Sequence, residues 1–334
     1  MTSERGGNKM AMSFDEKFTQ CIRNLKNVDI PDCSRDETNL FADFVELLVI
    51  FSKGDGIAYG DIQDRFFGEP DENNSSERND VNESFIDGIF SLIEERRVLY
   101  RNLYPFDLGN KQIITLKKDL SLPQKLYVFL LLSSSLDIFK SFNAEITTDF
   151  EMVSYEAIKS FMPNAVVKSF GKLSEYEGTA IEKIRKLADD ICLPTDDHEI
   201  GCIGEKNVQE RGLDIVSWIP FDDKCQNKII YLCQCACGKQ YEYKQHDIRR
   251  FEHYYRFYKT KPQRTLFVPY ALINPKDGKF YHSDYIEDGY LIFERLRIIN
   301  LAKRKEDVLT LLKSTDLVER CIQDYCTHTE TVII

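Results

Sequence analysis

The sequence has no apolar run long enough to span a membrane. Its longest, Leu126 to Phe139, is broken by Ser133-Ser134-Ser135 and falls short of the ~20 residues a transmembrane helix needs. An apolar leader is missing too, because Met1 to Met10 is polar and lacks the core of a signal peptide. A cytoplasmic protein with no membrane partner is therefore expected. Cysteine is sparse, with ten in 334 residues. Without a secretory signal a disulfide framework is not expected, which leaves reduced thiols or a metal site. Tryptophan occurs once, and there is no internal repeat or low-complexity tract. What remains is 43% hydrophobic and 30% charged, the mix of a soluble globular chain long enough for two domains.

Positive charge is also in short supply: 44 Lys and Arg against 55 Asp and Glu leave a net charge of −11. Such an average argues against nucleic acid, whose phosphates are bound by Lys and Arg. The distribution is uneven, however. Residues 1–145 hold 17 basic against 25 acidic side chains, and residues 146–334 hold 27 against 30. Within Lys224 to Arg264, ten basic residues face only Glu242, Asp247 and Glu252. One basic island sits in an acidic protein.

The first half of the chain has helical periodicity. Leu40, Phe41, Phe44, Val45, Leu47, Leu48 and Phe51 form a stripe that Gly54-Asp55-Gly56 ends. Short helical patterns follow over Tyr59 to Phe67 and Glu83 to Val98, separated by the acidic loop Gly68 to Asn82. Leu99 to Leu103 and Gln112 to Leu116 are expected to pair as a hairpin across Asp107 to Asn110. This order resembles a winged-helix domain. Its second helix carries Asp61, Asp64 and only Arg65, which favours protein docking over DNA reading. A further apolar helix is expected over Pro123 to Phe139. Residues 1–145 are taken as this helical domain, and 146–173 as a connecting segment.

Residues 174–334 alternate in an α/β (α+β) order. A helix is expected from Glu177 to Cys192, strands over Leu213 to Ile219 and Lys228 to Cys235, and a helix over Tyr243 to Tyr258. A strand over Thr265 to Tyr270 and a last helix over Leu291 to Ala302 complete it. Each of the first two strands has one polar intruder, Asp214 and Gln234. An unpaired carboxylate in a buried strand is costly, so Asp214 needs a partner or a metal. Two neighbouring strands that set an Asp beside an amide or carboxylate oxygen suit a hard divalent cation, and Glu182 upstream can add a third oxygen.

Glu182, Asp214 and Gln234, in this order and on these elements, resemble the restriction-endonuclease-like, PD-(D/E)xK, nuclease superfamily. The nearest likeness is to Mrr-like and phage-defence nucleases with Gln in the third motif. The resemblance covers roughly Ser174 to Asn300. It implies an α/β/α core, Mg²⁺ (or Mn²⁺) held by Glu182, Asp214 and Gln234, and hydrolysis of DNA in an anti-phage or restriction system. It also implies a partner defence protein or a homo-oligomer. Ala236 stands where the superfamily has its lysine, so Lys239 or Lys244 is expected to take the role. His246, Arg249, Arg250, Arg256, Lys259, Lys261 and Arg264, interleaved with Tyr254, Tyr255 and Tyr258, would grip backbone phosphates.

Blander alternatives stand beside each assignment. Asp214 alone could be a hydrogen-bonded carboxylate near a turn, Glu182 a solvated helix residue, and the island a solvated helix face. Cys233, Cys235 and Cys237, even with Cys225 or His246, lack the usual zinc spacing and read as one core-facing strand face. The rival function is a non-catalytic nucleic-acid-binding or assembly subunit on a decayed nuclease fold. A transcriptional regulator using the N-terminal helices is a third.

Overall fold

A computed structural model describes residues 12–326 except 36, 53, 55, 69–75, 110–111 and 205–211. The chain begins with four helices, α1 (Phe14–Lys26), α2 (Thr38–Ile50), α3 (Tyr59–Phe67) and α4 (Ser76–Tyr100). Ser13 and Glu16 close a capping box at α1, and Phe18, Cys21 and Leu25 line its buried side. Strands β1 (Phe106–Leu108) and β2 (Ile114–Leu116) then pair antiparallel. Ile57 adds a bridge to Ile114 with two backbone hydrogen bonds, so a third short extended segment joins this hairpin.

The first hairpin strand is therefore not Leu99 to Leu103. Helix α4 runs on to Tyr100, and Arg101–Leu103 forms a 3₁₀ turn before the strand begins. Helix α5 (Leu122–Ser133) is buried on all sides from Leu126 onward. It stops short of Phe139, and the hydroxyls of Ser133 and Ser134 donate back to the carbonyls of Phe129 and Leu131.

The segment expected to be a connector holds α6 (Asn143–Phe161) and β3 (Val166–Ser169). After α7 (Ala180–Ile191) and α8 (Asp197–Gly201) come β4 (Ile215–Trp218), β5 (Ile230–Cys235), α9 (Gln245–Glu252), β6 (Gln263–Phe267) and β7 (Tyr290–Phe293). Helices α10 (Arg295–Ala302) and α11 (Thr315–Cys326) end the described chain. Residues 291–302, expected as one helix, are thus split between a strand and α10.

The second sheet has the order β3-β4-β5-β6-β7. Its first two pairings are antiparallel and its last two parallel. Among the described residues this makes a mixed α/β structure with eleven α-helices and two sheets. Helices α6 and α10 cover one sheet face, where Ile215, Cys233, Phe267 and Phe293 join the core of the N-terminal helices. Helices α7 and α9 cover the other, around Leu213, Val216, Trp218, Ile230 and Leu232. The N-terminal helices and the sheet therefore share one continuous core. No helix among the described residues is long and apolar enough to cross a membrane.

Candidate active site

Asp214 stands at the entrance to β4. Its N–H donates to the Cys233 carbonyl (3.0 Å), and its own carbonyl accepts from the N–H groups of Phe170 (2.7 Å) and Gly171 (3.0 Å). The backbone is thus tied to both neighbouring strands. Extending the Ile215-to-Cys233 register by one residue sets Asp214 opposite Gln234. Asp214 Oδ2 accepts from Gln234 Nε2 and from the Cys235 N–H, both at 2.7 Å. Gln234 is only 4% exposed, and its Oε1 is buried without a hydrogen-bond partner among the described residues. A buried amide oxygen left this way is costly unless something else fills the position.

The carboxylate that joins Asp214 is not Glu182 but Glu151, on α6. A Cβ on Gly171 would sit 2.7 Å from Asp214 Oδ1 and 3.1 Å from Glu151 Oε2. Any larger side chain there would push the carboxylates aside. The same loop supplies a cation: the Lys172 N–H donates to Glu151 Oε2 (3.2 Å), and Lys172 Nζ donates to Thr147 Oγ1 (2.7 Å), one helical turn before Glu151. Lys172 also acts on the Cys237 thiol, just past β5, opposing the upward push of burial.

Glu182 has a local task. Its carboxylate accepts from the Thr179 N–H (2.7 Å), and the Thr179 hydroxyl accepts from the Glu182 N–H, closing a capping box on α7. The Thr179 bonds hold its carboxyl below the usual range. A three-residue local bond competed with the distant strand and won.

Neither replacement lysine reaches the Asp214 carboxylate through a hydrogen bond. Lys239 Nζ bonds to the Asp32 carbonyl (3.2 Å) and Asp137 (3.3 Å), and Lys244 Nζ lies 3.4 Å from Asp247. Both line a cleft of about 880 Å³ that also touches Thr147, Cys235 and Ala236. The Ala236 methyl packs among Leu266, Val268 and Ile292, so the motif position itself is filled by core.

The basic island divides. On α9, Arg249 (3.2 Å) and His246 (3.4 Å) meet Glu287, and Arg250 meets Asp247 at 2.9 Å. Arg256 meets Asp196 at 3.3 Å, and Arg264 grips Glu252 through two bonds of 2.6 and 3.0 Å. Lys259 lies over the Tyr258 ring, and with Lys261 it lines a separate cleft of about 460 Å³. That cleft adjoins the start of β5, about 13 Å along the strand from Gln234. Asp196 and Glu287 come from outside the island in sequence, and they lower its apparent excess of charge.

Cys233 and Cys237 enter the core shared with α6, and Cys235 packs against it, on the side opposite Gln234. Burial pushes all three thiols up. Two site residues, Glu151 and Lys172, were missed by sequence reasoning. Glu151 had a signal, since α6 buries Asp149, Glu151, Ser154 and Glu156 among apolar neighbours. No family model matches this chain, no curated protein matches it, and no solved structure matches it.

Proposed function

We propose that this chain is a metal-dependent endonuclease that hydrolyses DNA phosphodiesters in an anti-phage or restriction system. The observation that carries this is that Asp214 and Glu151 both meet Gly171, while Gln234, opposite Asp214 on β5, bonds to the Asp214 carboxylate. The strand order supports it. Helix α6, strands β3, β4 and β5, helix α9 and strand β6 follow the helix–three strands–helix–strand plan of the restriction-endonuclease-like core, with α7 and α8 inserted. In that plan the helix carboxylate belongs to the first core helix, which is α6.

The donor set suits a hard cation: two carboxylates and an amide oxygen, the last buried and unpartnered. Among the described residues no three His, Cys, Asp or Glu side chains are placed to hold a metal ion together, so Gln234 Oε1 is needed to complete the set. Asp214, Glu151 and Gln234 would hold Mg²⁺ or Mn²⁺. Such an ion lowers the pKa of water and offsets charge on a phosphate. The Cys235 N–H and Gln234 Nε2 fix the Asp214 carboxylate, while Lys172 brings an ammonium for the phosphate or its attacking water.

The N-terminal order α2, Ile57, α3, α4, β1, β2 supports the winged-helix reading. Helix α4, in the place such folds use for reading DNA, exposes Glu83 and Asp87, which supports docking of a partner protein instead. The methyl at Ala236 and the paired island arginines favour the rival reading, a non-catalytic assembly subunit. Plasmid incubated with Mg²⁺ or Mn²⁺ separates the two. Nicking by the wild type that disappears in folded Asp214→Asn supports the nuclease. An inert wild type, or equal nicking by the variant, overturns it.

A further inference from the structure

The 880 Å³ cleft runs from Cys235 and Ala236, at the end of β5, toward Tyr243, His282 and Tyr285. His282 and Tyr285 stack nearly parallel, with ring centroids 5.3 Å apart and 15° between planes. Tyr285 is 46% exposed and Tyr243 62%, so much aromatic surface is left in water beside the cleft. His282 has a left-handed backbone (φ 52°, ψ 47°), uncommon for a residue with a side chain. The loop that carries the pair is anchored rather than loose. Buried Gln245 donates to the Tyr285 carbonyl and accepts from the Glu287 N–H, both at 2.8 Å, and the Tyr290 hydroxyl donates to the Gln245 carbonyl.

A flat, preorganised aromatic surface takes a flat partner with a π-face. The charge lining the cleft decides which kind. Asp32, Glu37 and Glu242 outnumber Lys239 and Lys244, so a duplex with its dense phosphates gains little here. Stacking of an unpaired base is a contact between π-faces that tolerates any sequence, and a short single strand brings fewer phosphates against these acids than a duplex does. We infer that the cleft binds single-stranded nucleic acid, with an unpaired base on the His282–Tyr285 face and Lys239 and Lys244 beside its backbone. Only the position of the scissile phosphate, at Asp214, rests on the nuclease reading.

The test is fluorescence anisotropy of a short single-stranded oligodeoxynucleotide with the full chain in EDTA, where no cleavage is possible. Wild type should prefer the single strand to its duplex by about tenfold, and Tyr285→Ala should weaken it by about tenfold while Tyr285→Phe does not. Glu182→Gln, at the cap of α7, should bind as the wild type does. Equal affinity for duplex, insensitivity to Tyr285→Ala, or displacement by thymidine monophosphate as effective as by the strand overturns the inference. Tyr285-dependent binding by a protein that never cleaves overturns the nuclease reading alone. Cleavage by a protein whose binding ignores Tyr285 overturns the stacking site alone.

Discussion

Asp43 and Glu46 on α2 form one pair of buried acids, buried Glu151 and half-buried Asp214 a second, and the two pairs are held in opposite ways. Arg96 Nη1 lies 2.8 Å from both Asp43 and Glu46. Arg295, from the start of α10, adds bonds of 2.7 and 3.0 Å to Asp43, and the hydroxyls of Tyr104 and Tyr127 donate to Glu46. Burial opposes the charge on both guanidinium groups, but Glu46 and Asp43 at Arg96, and Asp43 with Tyr127 at Arg295, more than offset it and raise their pKa values. This is a closed network that locks the N-terminal helices to the sheet unit. Beside Gly171, by contrast, Glu151 and Asp214 meet with no arginine between them, and the neighbouring Gln234 Oε1 has no hydrogen-bond partner among the described residues. Buried acids surrounded by arginines build structure. Acids gathered beside an orphaned oxygen are where chemistry is to be sought.

The largest expected effect breaks the closed network. Arg295→Met removes one guanidinium and leaves Asp43 undercompensated, so urea unfolding should show a loss of about 3–5 kcal/mol. A loss below about 1 kcal/mol would erase the contrast between the two clusters. Glu151→Gln should leave the melting temperature nearly unchanged and lower plasmid nicking by about 100-fold or more. Glu182→Gln should leave nicking as it is. If Glu182→Gln abolished nicking and Glu151→Gln did not, the assignment of the helix acid would be reversed.

The smallest effect concerns Glu294, another buried acid, which caps α10 by accepting from the Arg297 N–H at 3.0 Å. Its burial raises its pKa despite bonds from Arg297 and Leu296 that oppose the shift. A carboxyl with a raised folded pKa contributes stability that is full below its unfolded pKa and lost as pH rises through the folded value. Glu294→Gln stays neutral throughout. Thermal melts should therefore show the variant at least as stable as the wild type near pH 7, with the difference closing near pH 4. A variant less stable at pH 7 than at pH 4, relative to wild type, would show that the carboxylate is welcome there.

Several features of the site were legible without coordinates. Asp214 and Gln234 announce themselves as single polar residues in apolar strands, and register then places them side by side. The alternation of Cys233, Cys235 and Cys237 against Gln234 and Ala236 follows from the two-residue period of a strand. Strand β3 was less visible because its four residues are short and half-buried, with no clean alternation. Strand β7 merged with α10 because Tyr290 to Ala302 is apolar enough for either period.

Local chemistry, then, was settled within the sequence: the caps of α1 and α7, the apolar stripes, and the strands bearing Asp214 and Gln234. Three matters were decided only by the tertiary structure. Glu151 was preferred to Glu182 because a capping box needs only three residues of chain, while a seat beside Asp214 needs the whole sheet. Lys172 was brought in by the β3 exit at Gly171, a contact 21 residues from Glu151. The basic island lost much of its excess because Asp196 and Glu287 fold onto it, and charge balance is set by neighbours in space rather than along the chain.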